Sequence, residues 1–281
     1  MFALRGAESR ADTPGWTVRV VPNKFPALSV HAPHISEPEL LYQTAAHGFH
    51  EVVIETPQHD LRLGQASLRQ LETILTVYQS RARILSGEPG VQNVVVVRNE
   101  GRGAGASQAH PHSQIFALPL VPSRLVDELA EAARRFNERG CCPTCEMVDR
   151  ERADARRVVV ENEDFIALTS FAPRFPYETW IVPTVHAHDF READDRQLRG
   201  LASVLKQVLT ALETVESSCP YNVVLHTAPV QPTIGGERAF HWRIEILPRL
   251  TIPSGLELAC DVFIIGVTPE HAAEKLRAVL T

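Results

Sequence analysis

Apolar and polar positions along the chain follow two rhythms that alternate and then repeat. The run Glu51-Val52-Val53-Ile54-Glu55 predicts a strand, which ends at Thr56-Pro57-Gln58-His59. Over residues 67–85, Leu68, Leu71, Leu75 and Tyr78 recur at three- and four-residue intervals and predict a helix. A buried-type strand at 93–97 follows, then a loop, then a strand carrying His110 and His112. The same order returns further on. A strand at 178–182 ends at Pro183-Thr184-Val185-His186. A helix at 195–216 aligns Leu198, Leu201, Leu205, Val208 and Leu212 on one face. An apolar strand at 221–225, a loop and a strand at 240–245 complete the copy. Each unit is strand, Pro-His loop, helix, strand, loop, His strand. This predicts an α+β protein of two related halves, 1–122 and 123–281. The join falls near 122–160, where Pro119, Pro122 and the charged stretch 149–157 interrupt the pattern.

Composition narrows the class. The 281 residues are 44% hydrophobic and 22% charged, as in ordinary soluble globular proteins. The net charge is −6, and no Lys/Arg-rich run suggests general nucleic-acid binding. The first five residues lack the apolar stretch of a signal peptide, and no run is long enough to predict a membrane span. Of the five cysteines, three crowd at Cys141, Cys142 and Cys145. That points to metal ligation in a reducing compartment, the cytoplasm, rather than to a disulfide framework.

The densest chemistry lies in 99–116. A run of small residues, Gly101-Arg102-Gly103-Ala104-Gly105-Ala106-Ser107, lets backbone amides approach a phosphate closely. Just beyond it stands Ala109-His110-Pro111-His112-Ser113-Gln114. A neutral imidazole is a competent nucleophile near pH 7 and can attack phosphorus. On a strand Gln114 shares a face with His112, where its amide can hold a phosphoryl oxygen. A metal site or a satisfied His pair is the plain alternative, and the glycines with Gln114 favour phosphate chemistry. The second copy has His241-Trp242-Arg243 in the aligned place. Arg243 cannot form a phosphoramidate, so the second half is expected to be structural or substrate-shaping.

Cys142-Pro143-Thr144-Cys145 has the spacing of a zinc knuckle. His186 and His241 hold repeat-equivalent places to His59 and His110. Together the four make an S₂N₂ set with no open position, a structural zinc site, with His188 as a rival ligand. Cys141, Cys219 and Cys260 are expected to be free or core thiols. In the first copy His59 and His110 have no preceding Cys, so that pair is expected not to hold a standard zinc: either it is metal-free or His31, His34, His47 or His50 substitutes, and each of these four is read first as exposed or locally satisfied.

In this order the motifs resemble the galactose-1-phosphate uridylyltransferase family of the histidine-triad superfamily. The likeness spans nearly the whole chain. It includes the segment from Gly15-Trp16 through Pro22-Asn23-Lys24-Phe25-Pro26, Gly48-Phe49-His50-Glu51, the 99–114 block, 171–178 and 241–245. The resemblance implies two histidine-triad-like halves, each an antiparallel sheet with a packed helix. It implies ping-pong nucleotidyl transfer between a nucleotide sugar and a sugar phosphate, with His112 as nucleophile and Gln114 on the phosphoryl group. The tautomer of His112 would be set by the backbone carbonyl of His110. Asn99 and Ser107 match phosphate contacts, and Gly105 belongs to the same loop. Asn23 and Phe25 match the nucleoside pocket, and Glu257 the hexose contact. A homodimer with sites completed across subunits is also implied. The family's N-terminal CxxC has no counterpart here, its His-Trp-His ends in Arg243, and 260–265 is apolar where sugar contacts are placed. Transfer to a sugar phosphate, phosphorolysis and hydrolysis all remain open, because the acceptor pocket decides among them. Retention of His112 with Gln114 argues against a purely binding protein.

Overall fold

A computed structural model describes residues 2–5, 13–32, 45–231 and 236–280; His34 lies outside them. The first half comprises β1 (Phe2–Arg5), β2 (Trp16–Pro22), β3 (Phe49–Ile54), α1 (Leu68–Ser86), β4 (Asn93–Glu100) and β5 (His112–Leu118). Two helices follow, α2 (Ser123–Arg139) and α3 (Pro143–Asp154). The second half has β6 (Val158–Glu161), β7 (Phe165–Thr169), β8 (Thr179–Pro183), α4 (Asp195–Val215), β9 (Tyr221–His226), α5 (Gly236–Ala239) and β10 (Arg243–Pro248). The chain closes with α6 (Gly255–Cys260) and α7 (Pro269–Ala278).

The strands form one antiparallel sheet in the order β1-β2-β3-β5-β4-β9-β10-β8-β7-β6. Read outward from the β4–β9 seam, the order is palindromic: β5 mirrors β10, β3 mirrors β8, β2 mirrors β7 and β1 mirrors β6. The repeat seen in sequence is therefore an internal two-fold. Pairing β4 with β9 satisfies two edges that each half alone would expose.

The helices α1 and α4 pack against each other on one face of the sheet. Their buried stripes, Leu71, Ile74 and Leu75 on one and Leu198, Leu201 and Leu205 on the other, form the core with Val96, Leu225 and Ile244. Ser67 caps α1 by accepting from the Gln70 amide, and Asp194 with Gln197 forms a capping box at α4. Both predicted helices appear within a residue or two of their expected ends.

Two expectations shift. His110 lies in the bend before β5 and His241 in the loop before β10, so the two strands begin at His112 and Arg243. The interrupted stretch after Pro122 is helical. In α2 only Leu125, Leu129 and Ala132 are buried, and in α3 only Val148 and Glu151, so neither displays a broad apolar stripe.

Candidate active site

Alternation along β5 divides its side chains between two faces. Ser113, Ile115 and Ala117 are fully buried toward the helices, whereas His112, Gln114 and Phe116 face the other side. On β4 Arg98 is buried toward the helices and Asn99 faces with His112. A cleft of about 290 Å³ there is lined by His59, Arg62, Asn99, Ser107, His110 and His112, among others.

The His112 ring is oriented by its own motif. Its Nδ1 lies 2.8 Å from the His110 carbonyl oxygen. A carbonyl only accepts, so in the neutral ring Nδ1 carries the proton and Nε2 keeps its lone pair. This is the tautomer a nucleophile needs. The neighbouring His110 ring donates from Nε2 to the Thr56 carbonyl at 2.8 Å, and its Nδ1 meets His59 Nδ1 at 3.0 Å.

The glycine-rich loop turns sharply beside this ring. Gly101 and Gly105 have φ of 77° and 86°, a region that favours glycine. The second half holds the loop from behind. Asn222 on β9 donates to Asn99 Oδ1 at 2.7 Å and to the Ala104 carbonyl at 2.8 Å. No local sequence pattern marks Asn222, because its contact depends on the β4–β9 seam, where it faces Asn99.

Beneath the cleft lies a buried ionic network that was also missed. Arg98 Nε donates to Glu55 at 2.9 Å and its Nη1 to Glu100 at 2.6 Å. Tyr78 donates to Glu55 Oε1 at 2.9 Å, and the Ser113 hydroxyl donates to the same oxygen. Burial, with the Glu55 carboxylate, holds the Tyr78 phenol well above its ordinary range, so it remains a donor. The Glu55 amide in turn bonds the Pro111 carbonyl at 3.1 Å, tying the network to the histidine motif.

Gln114 belongs to a third group. Its Oε1 lies 2.8 Å from His50 Nε2, and Asn23 Nδ2 lies 3.1 Å from the same nitrogen. Asn23 Oδ1 also accepts from the Phe25 amide at 2.9 Å, while the Phe25 ring is 82% exposed. Asn23, Phe25 and Gln114 thus gather around His50, a residue expected to be merely satisfied. Glu257 is elsewhere: it lines a separate cavity of about 1090 Å³ with Arg124 and Arg174 in the second half. Among the described residues, the cleft lined by His112 does not include Glu257.

The internal two-fold gives the second half a counterpart of the site built from different residues. Arg243 begins β10 as His112 begins β5, and Glu245 stands in the Gln114 position. Arg243 donates to Glu245 at 2.8 and 3.0 Å and reaches Glu128 on α2. Glu245 also meets Arg174 at 2.6 Å and His226 at 3.2 Å. Burial alone would raise the Glu245 pKa. The His226 hydrogen bond and the Arg243 and Arg174 charges outweigh that and hold it below the usual carboxylate range. Every position of β10 is buried, and Leu247 on the Arg243 face lines the cavity that also holds Glu257.

The ligand atoms of Cys142, Cys145, His186 and His241 lie within 4.8 Å of one another. Cys145 Sγ is 3.5 Å from His186 Nδ1 and 3.6 Å from His241 Nδ1. The edge of a tetrahedral S₂N₂ zinc site is about 3.5 Å, so the donor set fits such an ion. His186 Nε2 donates to the Glu237 carbonyl at 2.8 Å, which frees Nδ1 to face the thiols. His188 falls in a different group, with Asp189 and Glu192. Among the other cysteines, Cys141 and Cys260 are exposed and Cys219 is buried, all free.

Comparison with known proteins agrees with this construction. Residues 8–122 match the model of the N-terminal domain of galactose-1-phosphate uridyl transferase, and residues 128–280 match that of its C-terminal domain. The ADP-glucose phosphorylase of Arabidopsis thaliana is 33% identical over 269 residues, 95% of this chain and 75% of that protein. The galactose-1-phosphate uridylyltransferase of Thermotoga maritima is 31% identical over 264 residues, 91% of this chain and 82% of that protein. The crystal structure of the Arabidopsis thaliana ADP-glucose phosphorylase with bound ADP-glucose superposes with a TM-score of 0.85 at 31% identity, covering 95% of this chain and 83% of that one. Matched in both halves and in order, the chain belongs to the galactose-1-phosphate uridyl transferase family.

Proposed function

We propose that this enzyme is a nucleotidyltransferase that moves a nucleoside monophosphate, UMP foremost, between sugar 1-phosphates through a covalent nucleotidyl-His112. The observation that carries the reading is the His112 ring. Its proton sits on Nδ1 against the His110 carbonyl, and the ring lines the cleft beside the glycine-rich loop. In the first half-reaction the Nε2 lone pair attacks the α-phosphorus of a nucleotide sugar. The N–P bond forms as the P–O bond to the sugar phosphate breaks, and that oxygen takes the electron pair. The adduct leaves positive charge on the ring, which the His110 carbonyl stabilises. Gln114 donates to the phosphoryl oxygens, and Asn99 and Ser107 hold the departing phosphate with the loop around Gly105. In the second half-reaction a phosphate oxygen of the acceptor attacks the same phosphorus and the N–P bond breaks, restoring His112.

The same intermediate serves a phosphorylase if inorganic phosphate is the acceptor. Similarity to the Arabidopsis ADP-glucose phosphorylase favours this as the second reading. Incubation with UDP-glucose or ADP-glucose, each with galactose 1-phosphate, phosphate or no acceptor, separates the readings by which pair turns over. Failure of every pair would refute both.

Residues 1–122 would then be the catalytic half and 123–281 the half that carries zinc on Cys142, Cys145, His186 and His241. The zinc would supply a structural cross-link between α3 and the loops before α4 and β10. We read the enzyme as a cytoplasmic homodimer, in keeping with its free thiols. The segment around α6 supports the dimer: Ile252, Leu258 and Ile264 are 91%, 79% and 68% exposed, and Glu257 lies among them, away from His112 of its own chain. In a dimer this segment would bring Glu257 to the partner's cleft.

A further inference from the structure

The Gln114 amide can serve the phosphoryl group only if it presents its nitrogen, and the residues around it determine which end faces the ligand. The Ala27 amide lies 3.0 Å from His50 Nδ1. A backbone N–H only donates, so Nδ1 must accept, and the neutral ring carries its proton on Nε2. That nitrogen sits 2.8 Å from Gln114, so the Gln114 atom facing it must be the acceptor, Oε1. The amide nitrogen is thereby turned away from His50, and among the described residues it has no hydrogen-bond partner. Asn23 Nδ2 approaches His50 Nε2 at 3.1 Å, but both atoms are donors and do not bond, so Asn23 keeps its N–H groups for a ligand. His50 is 8% exposed and stacks on Phe116, with ring centroids 4.1 Å apart at 26°, so its plane is fixed. Burial lowers its pKa, and the Gln114 bond opposes that without reversing it, so the ring stays neutral.

We propose that His50 is a positioning residue for the transfer: through the chain Ala27 N–H, His50, Gln114, it locks the Gln114 amide with its donors toward the phosphoryl group on His112. The proposal rests on the reading of His112 as the nucleotidyl carrier. It differs from a base-pocket or packing role, which would change substrate binding or folding but would not act through Gln114.

The test is a double-mutant cycle on the rate of nucleotidyl-enzyme formation in single turnovers, with UDP-glucose and with ADP-glucose as probes. His50→Phe keeps the stack and removes the donor. It is expected to slow adduct formation about 10- to 100-fold, with half-saturating substrate within about threefold of wild type. His50→Gln restores a donor and is expected to return the rate to within about fivefold. His50→Asn can still accept from Ala27 but does not reach Gln114, and it is expected to behave like His50→Phe, which covers the case in which the aromatic variant fails to fold. In a Gln114→Ala background, His50→Phe is expected to add less than about twofold. An undiminished effect of His50→Phe in that background, or an effect confined to half-saturation, overturns the role of His50 alone. A wild-type enzyme that acquires no adduct on His112 from either probe overturns the functional reading and this inference with it.

Discussion

At the scale of single residues, the site works by denying side chains their alternatives. His110 gives His112 one tautomer, and Asn222 gives the Asn99 amide one orientation. Asn222→Ala removes a donor shared by Asn99 and the glycine-rich loop. It is expected to lower kcat about 10-fold while melting within a few degrees of wild type, checked by steady-state kinetics and thermal denaturation. Arg98 is expected to behave differently. Arg98→Met leaves Glu55 buried without its cation, and chemical denaturation is expected to show a loss of about 3–5 kcal/mol. Glu245 links the fold to pH. Its pKa in the folded protein lies below its ordinary 4.5, so its contribution is fully present above that value and is lost as pH falls below it. Denaturation of wild type between pH 5 and pH 3 is expected to show a steeper stability loss than that of Glu245→Gln. Parallel slopes would contradict the assignment.

At the scale of elements, the long periodic pieces were readable and the polar ones were not. α1 and α4 announce themselves because each buries a continuous stripe against the sheet. The histidine motif and the Cys142-Cys145 pair were readable because their chemistry is carried in adjacent residues. What escaped depends on contacts distant in sequence. His50 meets Gln114 across 64 residues and Asn222 meets Asn99 across 123, and no local pattern records either meeting. α2 escaped because most of its surface is solvated, with Arg134 and Arg135 paired to Glu131 on its exposed side. The metal-type cluster is also an element-scale device, since it joins the start of α3 to the loops carrying His186 and His241. Elemental analysis is expected to find about one zinc per chain, held in this closed four-ligand set. Cys142→Ser/Cys145→Ser is expected to lose it and to unfold at lower temperature, since such a site contributes folding energy. Zinc retained in that variant would refute the assignment.

At the scale of the whole molecule, the internal two-fold sets Arg243 at the start of β10 where the first half has His112 at the start of β5. Arg243, Glu245 and Glu128 fill the second-half position with ion pairs. If Glu257 acts across a dimer, mixing inactive His112→Ala with impaired Glu257→Ala subunits is expected to restore activity toward about a quarter of wild type, through heterodimers with one intact site. No recovery after subunit exchange would place Glu257 outside the partner's cleft. Both half-reactions of the proposed transfer require His112 to carry the nucleotidyl group. That requirement is tested most directly by mass spectrometry of the protein after incubation with UDP-glucose or ADP-glucose without acceptor. One acid-labile, base-stable nucleoside monophosphate per chain is expected, mapped to His112, absent from His112→Ala and discharged by the acceptor. An adduct on another residue, or equal adduct in His112→Ala, would contradict it.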